Sequence, residues 1–171
     1  GRATWSVIPA TGVPWEPCSP TGLLIHDTLS ARIHPRMALA ALVAAIRGHG
    51  GDVVTDGFDE GQIIHATGAN GLTALGEALG RPVGGAVKGQ ALVLRFEART
   101  LSQLFVDSLH IVPHADGTVA IGSTSENHWD DPTSTDAQLD ALHAAAVAAI
   151  PALADAPIVD RWAALRPRAK S

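Results

Sequence analysis

Ile63-Ile64-His65-Ala66-Thr67-Gly68-Ala69-Asn70-Gly71-Leu72-Thr73-Ala74-Leu75 is the stretch from which the rest of the chain can be read. A β-branched apolar pair runs into a small-residue turn and then into a helix-forming pattern, so the reading is strand, tight turn, helix. Ala66, Thr67 and Gly68 carry little side-chain bulk. The helix after them points unpaired N–H groups and its positive end back at the turn. An anionic cofactor suits such a place. A plain turn whose glycines only relieve backbone strain is the other reading and, on this stretch alone, the simpler one.

The chain has 171 residues, 46% of them hydrophobic, enough for one sizeable core or two smaller lobes sharing an interface. Twelve Lys and Arg face 17 Asp and Glu with no basic run, so there is no electrostatic footprint for a phosphate backbone and no nucleic-acid partner is expected. The longest strongly apolar run, Met37 to Ile46, is about half what a bilayer requires, and the N-terminus lacks the basic-then-apolar order of a secretion signal. A cytoplasmic protein with no membrane span is the expectation. Cys18 is the single cysteine and fits a reducing compartment.

Outward from the opening stretch, Gly1 to Pro20 reads as an irregular, proline-rich arm packed down by Trp5 and Trp15. Leu23-Leu24-Ile25 is a candidate buried strand. Pro35 suits a first helical turn, and Met37 to Arg47 forms a helix ended by Gly48, Gly50 and Gly51. That helix is apolar nearly all round, so it should be covered on most sides. Asp52-Val53-Val54-Thr55 reads as a short strand before the Ile63 strand, and a helix from about Gly71 to Leu79 stops at Gly80.

Ala91 to Phe96 is a near-continuous apolar run, as in the middle of a sheet. Leu109 to Val112 and Thr118 to Ile121 form a hairpin through Asp116-Gly117. Thr135-Asp136-Ala137-Gln138 has capping-box spacing, and Leu139, Leu142, Ala146 and Ile150 mark one face of a helix that Pro151 terminates. The last strand is Ile158 to Leu165.

Several chemistries find no support. His110 and His114 straddle a predicted strand and Pro113, so they would not share a helical face as a two-histidine zinc motif requires, and no metal site is read. No serine sits in a nucleophile elbow, and Cys18 lies in a proline-rich loop. No side chain stands out as a catalytic acid, base or nucleophile. Gly48-His49-Gly50-Gly51 follows a helix and precedes a strand, the reverse of a dinucleotide loop.

Three stretches in this order, Ile63-Ile64-His65-Ala66-Thr67-Gly68, then His110-Ile111-Val112-Pro113 with Gly117 and Ile121-Gly122-Ser123-Thr124, then Trp162-Ala163-Ala164-Leu165-Arg166-Pro167, resemble the FAD-dependent oxidoreductases of the D-amino acid oxidase superfamily, nearest to the glycine oxidase branch. Val87-Lys88-Gly89-Gln90 looks like the family's strand after the first motif. The resemblance implies that Ala66, Thr67 and Gly68 approach FAD, with Val53 and Val54 near its adenosine half. It also implies that Arg166 binds the substrate carboxylate, a task suited to a planar guanidinium with two parallel hydrogen bonds. His110 stands where relatives often place a tyrosine, and Ser125 where a bulkier residue can occur, so both are expected to line the pocket.

The implied reaction is oxidation of the C–N bond of a small amino acid or secondary amine, with hydride passing to the flavin. The family's initial Gly-x-Gly-x-x-Gly unit and its final glycine-rich portion have no counterpart in the sequence. The chain is therefore expected to be a piece of a longer polypeptide, inactive alone. A truncated, non-enzymatic relative that binds small carboxylates or serves as an interaction module is the alternative.

The expected architecture is α+β: a largely antiparallel sheet from the Leu23, Ala91, Leu109, Thr118 and Ile158 strands with helices on one side, plus short parallel-type strands at Val53 and Ile63. Residues 1–49 would supply the arm, strands and helix of the substrate lobe, 50–80 part of the FAD lobe, and 81–171 the rest of the substrate lobe. Apolar surface left by truncation could support a homodimer.

Overall fold

The computed structural model describes residues 2–170. Its elements are β1 (Trp5–Pro9), β2 (Leu23–Asp27), α1 (Pro35–Gly48), α2 (Gly68–Ala78), β3 (Gly84–Arg95), β4 (Leu104–Val106), β5 (Leu109–Pro113), β6 (Thr118–Gly122), α3 (Ala137–Ala149), a 3-10 turn (Pro151–Leu153) and β7 (Ile158–Ala169). Five strands form one sheet in the order β4-β5-β6-β3-β7, and β1 pairs with β2 apart from it. Every pairing is antiparallel, in the expected α+β class. Among the described residues no helix is long and apolar enough to cross a membrane.

β3 is the strand on which the sheet is built. Successive side chains point to opposite faces of a strand, and β3 obeys this closely: Lys88, Gln90, Leu92 and Leu94 are buried, while Gly89, Ala91 and Val93 between them are only half-buried. Leu92 faces Ile121 across β6, Leu94 faces Val119, and Ile121 in turn faces Ile111 on β5. Leu139, Leu142 and Ala146 of α3, followed by Ile150 and Leu153, close this layer from one side. Their spacing is the helical stripe read from the sequence. α3 starts one residue later than the Thr135 spacing suggests, because the Asp136 carboxylate caps it by accepting from the Gln138 N–H at 2.9 Å. Trp15 pins the N-terminal arm to the core, stacking on Phe96 at 5.7 Å and donating its indole N–H to the Ser102 carbonyl at 2.8 Å.

Four expectations fail, three of them for want of a packing partner among the described residues. Val53 and Ile63 form no strands: neither segment pairs with another, and Ile64 is 83% exposed. The Leu23 strand forms, but beside β1 rather than in the main sheet. No residue of α1 is buried, although its sequence called for cover on most sides. Trp5 is exposed on β1, so only one of the two arm tryptophans packs the arm down. α2 also begins earlier than read, at Gly68, whose φ of +65° is a conformation only glycine adopts freely.

At the Lys88 end of β3 the core turns polar. Lys88 is 2% exposed, and its ammonium lies 3.6 Å from Glu126 and 3.8 Å from Asp136. Gln90 donates to Glu126 at 3.0 Å and to Asp136 at 2.9 Å, and its carbonyl oxygen accepts the Asp136 N–H at 2.9 Å. Thr124 donates its hydroxyl to Glu126 and accepts the Gln90 N–H at 2.8 Å. Burial works to raise the Glu126 carboxyl, but bonds from Thr124 and Gln90 and the Lys88 charge together hold it below the usual range, against opposition from Asp136. Asp136 is lowered first by the Gln90 side chain, then by the Gln138 N–H.

Leu92→Ala should destabilise the fold by about 2 to 5 kcal/mol, whereas Leu39→Ala on exposed α1 should change stability by less than about 0.5 kcal/mol; urea denaturation compares them. Depressed carboxyl pKa values contribute stability that is present above their unfolded values, near pH 4, and lost as pH falls through the folded values. Lys88→Met removes the ammonium that helps lower Glu126. It should cost about 3 kcal/mol at neutral pH and flatten the acid limb of the stability profile, and an unchanged profile would show the pair to be inert.

Candidate functional site

The face of the main sheet turned away from α3 is built from small side chains. Strand register places Gly89 and Ala91 of β3, Gly122 of β6 and Ala164 of β7 on it: Gly122 pairs with Ala91, and Gly89 with Ala164. A methyl is the largest group these four present. The close fit of the floor explains the glycines, since a Cβ on Gly122 would stand 3.2 Å from that of Ala91. Larger groups rise at the edges: His110 pairs with Gly122, Trp162 with Ala91, and Arg166 lies two residues beyond Ala164. Three strand spacings separate β5 from β7, so the hollow is about 14 Å across.

Arg166 is a cation held in place on this face. Its guanidinium donates to the Thr124 carbonyl at 2.7 Å and to the Ser123 hydroxyl at 3.4 Å. A Cβ on Gly89 would meet Arg166 Nη2 at 3.1 Å and Cζ at 3.3 Å, so the guanidinium lies against bare backbone. Among the described residues no carboxylate pairs with it. A guanidinium has five N–H donors, and these two bonds leave three free. The chemical consequence is an oriented, uncompensated positive charge beside a hollow floored by methyls and hydrogens.

Ser125 joins Arg166, Val87, Pro167 and Arg168 around a depression of about 220 Å³. His110 lies across the floor from Arg166, exposed and tilted against Phe105 at 4.8 Å. The three residues expected to line a pocket therefore share a face.

Ala66, Thr67 and Gly68 are exposed at the start of α2, where Thr67 is the N-cap without a side-chain capping bond, so the first-turn N–H groups stay unpaired. Thr67 folds onto Gly71, where a Cβ would stand 1.6 Å from its hydroxyl. Leu72 of α2 meets Gly84 across from Ala169, which sets α2 against the β3–β7 end nearer Arg166. Val53 and Val54 are exposed in an irregular segment.

Gly89 and Thr124 are site residues that the sequence reading did not assign. Both lie inside stretches quoted for their family likeness, but a residue acting through absent bulk or through a backbone carbonyl leaves no side-chain signal. Arg36 was missed too. It comes from the start of α1, sits 5.6 Å above the Trp162 ring and pairs with Asp160, covering one edge of the face.

Comparison with known proteins gives this face a context. The model of a family described as FAD dependent oxidoreductase (DAO) matches residues 10–171. Glycine oxidase of Pseudomonas aeruginosa is 38% identical over 82 residues, 47% of this chain and 22% of that protein. Glycine oxidase of Pseudomonas putida is 37% identical over the same share of each. The chain thus spans about a fifth of the length of these relatives. The crystal structure of glycine oxidase from Geobacillus kaustophilus superposes with a TM-score of 0.53 at 27% identity, over 61% of this chain and 29% of that one. Iminodiacetate oxidase from a Chelativorans species shares the fold, with a TM-score of 0.71 at 21% identity over 88% of this chain and 47% of its own. A family match that takes in α1, α2, the small-residue face and Arg166 alike leaves one assignment: the chain belongs to the FAD dependent oxidoreductase family.

Proposed function

We propose that this chain is the substrate-holding part of a flavoenzyme that oxidises the C–N bond of a small amino acid or secondary amine. Arg166 carries the reading, as a cation without an internal carboxylate partner, fixed by Thr124 and Gly89 beside a flat floor. A substrate carboxylate supplies the missing anion, and two parallel hydrogen bonds would fix its orientation as well as its charge. Ser125 and His110 line the hollow and bound the size of the side chain admitted.

The residues present fit part of FAD. The floor of Gly89, Ala91, Gly122 and Ala164 accepts a planar ring, and the exposed Ala66–Gly68 turn with the uncapped start of α2 suits an anionic group. Val53 and Val54 stand toward the adenosine half in this reading. No Gly-x-Gly-x-x-Gly turn occurs in the sequence, so the pyrophosphate is held by residues outside it. FAD supplies the two-electron acceptor for the substrate carbon when bound. What these residues contribute is binding and orientation: Arg166 grips the carboxylate, and the small floor lets the reacting carbon approach. The sites named here span the segments 50–80 and 81–171 expected to contribute to the cofactor and substrate lobes.

In an active full-length protein, Arg166→Ala should raise KM for carboxylate-bearing amines by about 100-fold, the loss of one or two hydrogen bonds to a charged group, with a smaller effect on kcat. Gly89→Ala, which crowds the guanidinium without removing it, should raise KM by about 10-fold. Steady-state kinetics with unchanged KM in both variants would remove Arg166 from the site. The 171-residue chain expressed alone should purify colourless and inactive, and stoichiometric flavin in its absorbance spectrum would contradict this division of labour.

A further inference from the structure

We propose that His34, His114 and Asp116 form a binding site for a divalent metal ion of the zinc type, at the hairpin end of the sheet. The site lies beyond the substrate face, with His114 four residues along the chain from His110, or about 13 Å of extended strand. It owes nothing to the reading of Arg166.

The cluster is brought together by tertiary structure. His114 and Asp116 lie at the β5–β6 turn, and His34 immediately precedes α1. Arg32 fastens the segment carrying His34 to that turn, donating to the carbonyls of Leu101 at 2.6 Å, Arg99 at 2.7 Å and Pro113 at 3.5 Å. The two imidazoles pack with ring centroids 4.1 Å apart. One ligating atom from each of the three residues lies within 4.8 Å of the other two. His34 Nε2 and Asp116 Oδ2 stand 3.3 Å apart. Tetrahedral zinc with bonds of about 2.0 to 2.1 Å sets ligand atoms about 3.4 Å apart. One edge of the tetrahedron is already present in the 3.3 Å separation of His34 Nε2 and Asp116 Oδ2.

Hydrogen bonds around the cluster prepare these atoms as ligands. The Thr118 hydroxyl donates to Asp116 Oδ1 at 2.6 Å, so its oxygen is left to accept from His114 Nδ1 at 3.2 Å. That fixes the His114 proton on Nδ1 and turns a lone pair out on Nε2. Asp116 Oδ1 also accepts the Thr118 N–H at 3.1 Å, leaving Oδ2 to point at the imidazoles. Metal ligands are commonly oriented by such outer hydrogen bonds. A finished polar core would satisfy its nitrogens, but here His34 Nδ1 is buried with no hydrogen-bond partner among the described residues.

Neutral imidazole nitrogens with one carboxylate select zinc or a neighbouring transition ion over calcium or magnesium, which take oxygen ligands. His114 is 6% exposed. Binding would replace the His34 Nε2–Asp116 hydrogen bond with bonds to the metal, and water would complete the shell.

The test is a calorimetric titration of ZnCl2 into the full chain, freed of any histidine tag and treated with EDTA. Expected is one equivalent bound at roughly 10 μM or tighter. His34→Gln and His114→Gln should each weaken it by about 10-fold or more, and Thr118→Val by about 10-fold through the lost orientation. His49→Gln, on an exposed helix end, should bind like the parent. If a histidine variant fails to fold, Co2+ added to the parent chain keeps the proposal testable: an intense tetrahedral visible spectrum that zinc abolishes supports it. A titration without a saturable phase, zinc binding equally strong in folded His34→Gln and His114→Gln, or Co2+ with only a weak octahedral spectrum overturns it.

Discussion

Everything in this molecule turns on β3 holding one register. Along Gly84–Arg95 the even-numbered side chains, Lys88, Gln90, Leu92 and Leu94, are buried under α3, while Gly89 and Ala91 face the other way. A slip of one residue would put an ammonium on the small-residue face and glycine in the core, so the pairings with β6 and β7 are strongly specified. The polar half of the buried face adds to this constraint. Lys88 and Gln90 find partners in Glu126 and Asp136 only in the observed register, and a buried ammonium without them would be strongly unfavourable.

The two faces meet at Thr124. Its hydroxyl and backbone are tied to Gln90 and Glu126 on the buried side, and its carbonyl accepts from Arg166 on the open side. The position of the Arg166 guanidinium therefore depends on a network on the opposite, buried side of the sheet. Polar burial is weak evidence for stability in general. Here its value lies in geometry, because it sets where one carbonyl points.

A contrast runs between the ordered sheet and the segments before it. α1, the residues around Val53 and the Ile63 pair all carry apolar side chains that stay exposed. The segment matched in the glycine oxidase relatives covers about a fifth of their length, and contiguous exposed apolar surface is the kind that interfaces bury. Helix formation in α1 survives without that cover because its composition favours helix, whereas the Val53 and Ile63 segments need a neighbouring strand to form at all.

Arg166 stood out only through the family resemblance; what the sequence determined by itself was the local elements, namely the α3 stripe at Leu139, Leu142 and Ala146, the Asp116-Gly117 hairpin and the apolar run of β3. These are legible because periodicity and turn chemistry act over a few residues. It misplaced whatever depends on distant partners, such as β2's sheet, the cover of α1 and the strands at Val53 and Ile63. It was silent on Gly89 and Thr124, which act through absent bulk and a backbone carbonyl. The sequence held no ground to pair His114 with His110, four residues away, and it offered no other partner; in the fold His114 packs on His34, far upstream in the chain. Only the tertiary structure decided that, because side chains meet through packing, and sequence distance says nothing about which faces a sheet brings together.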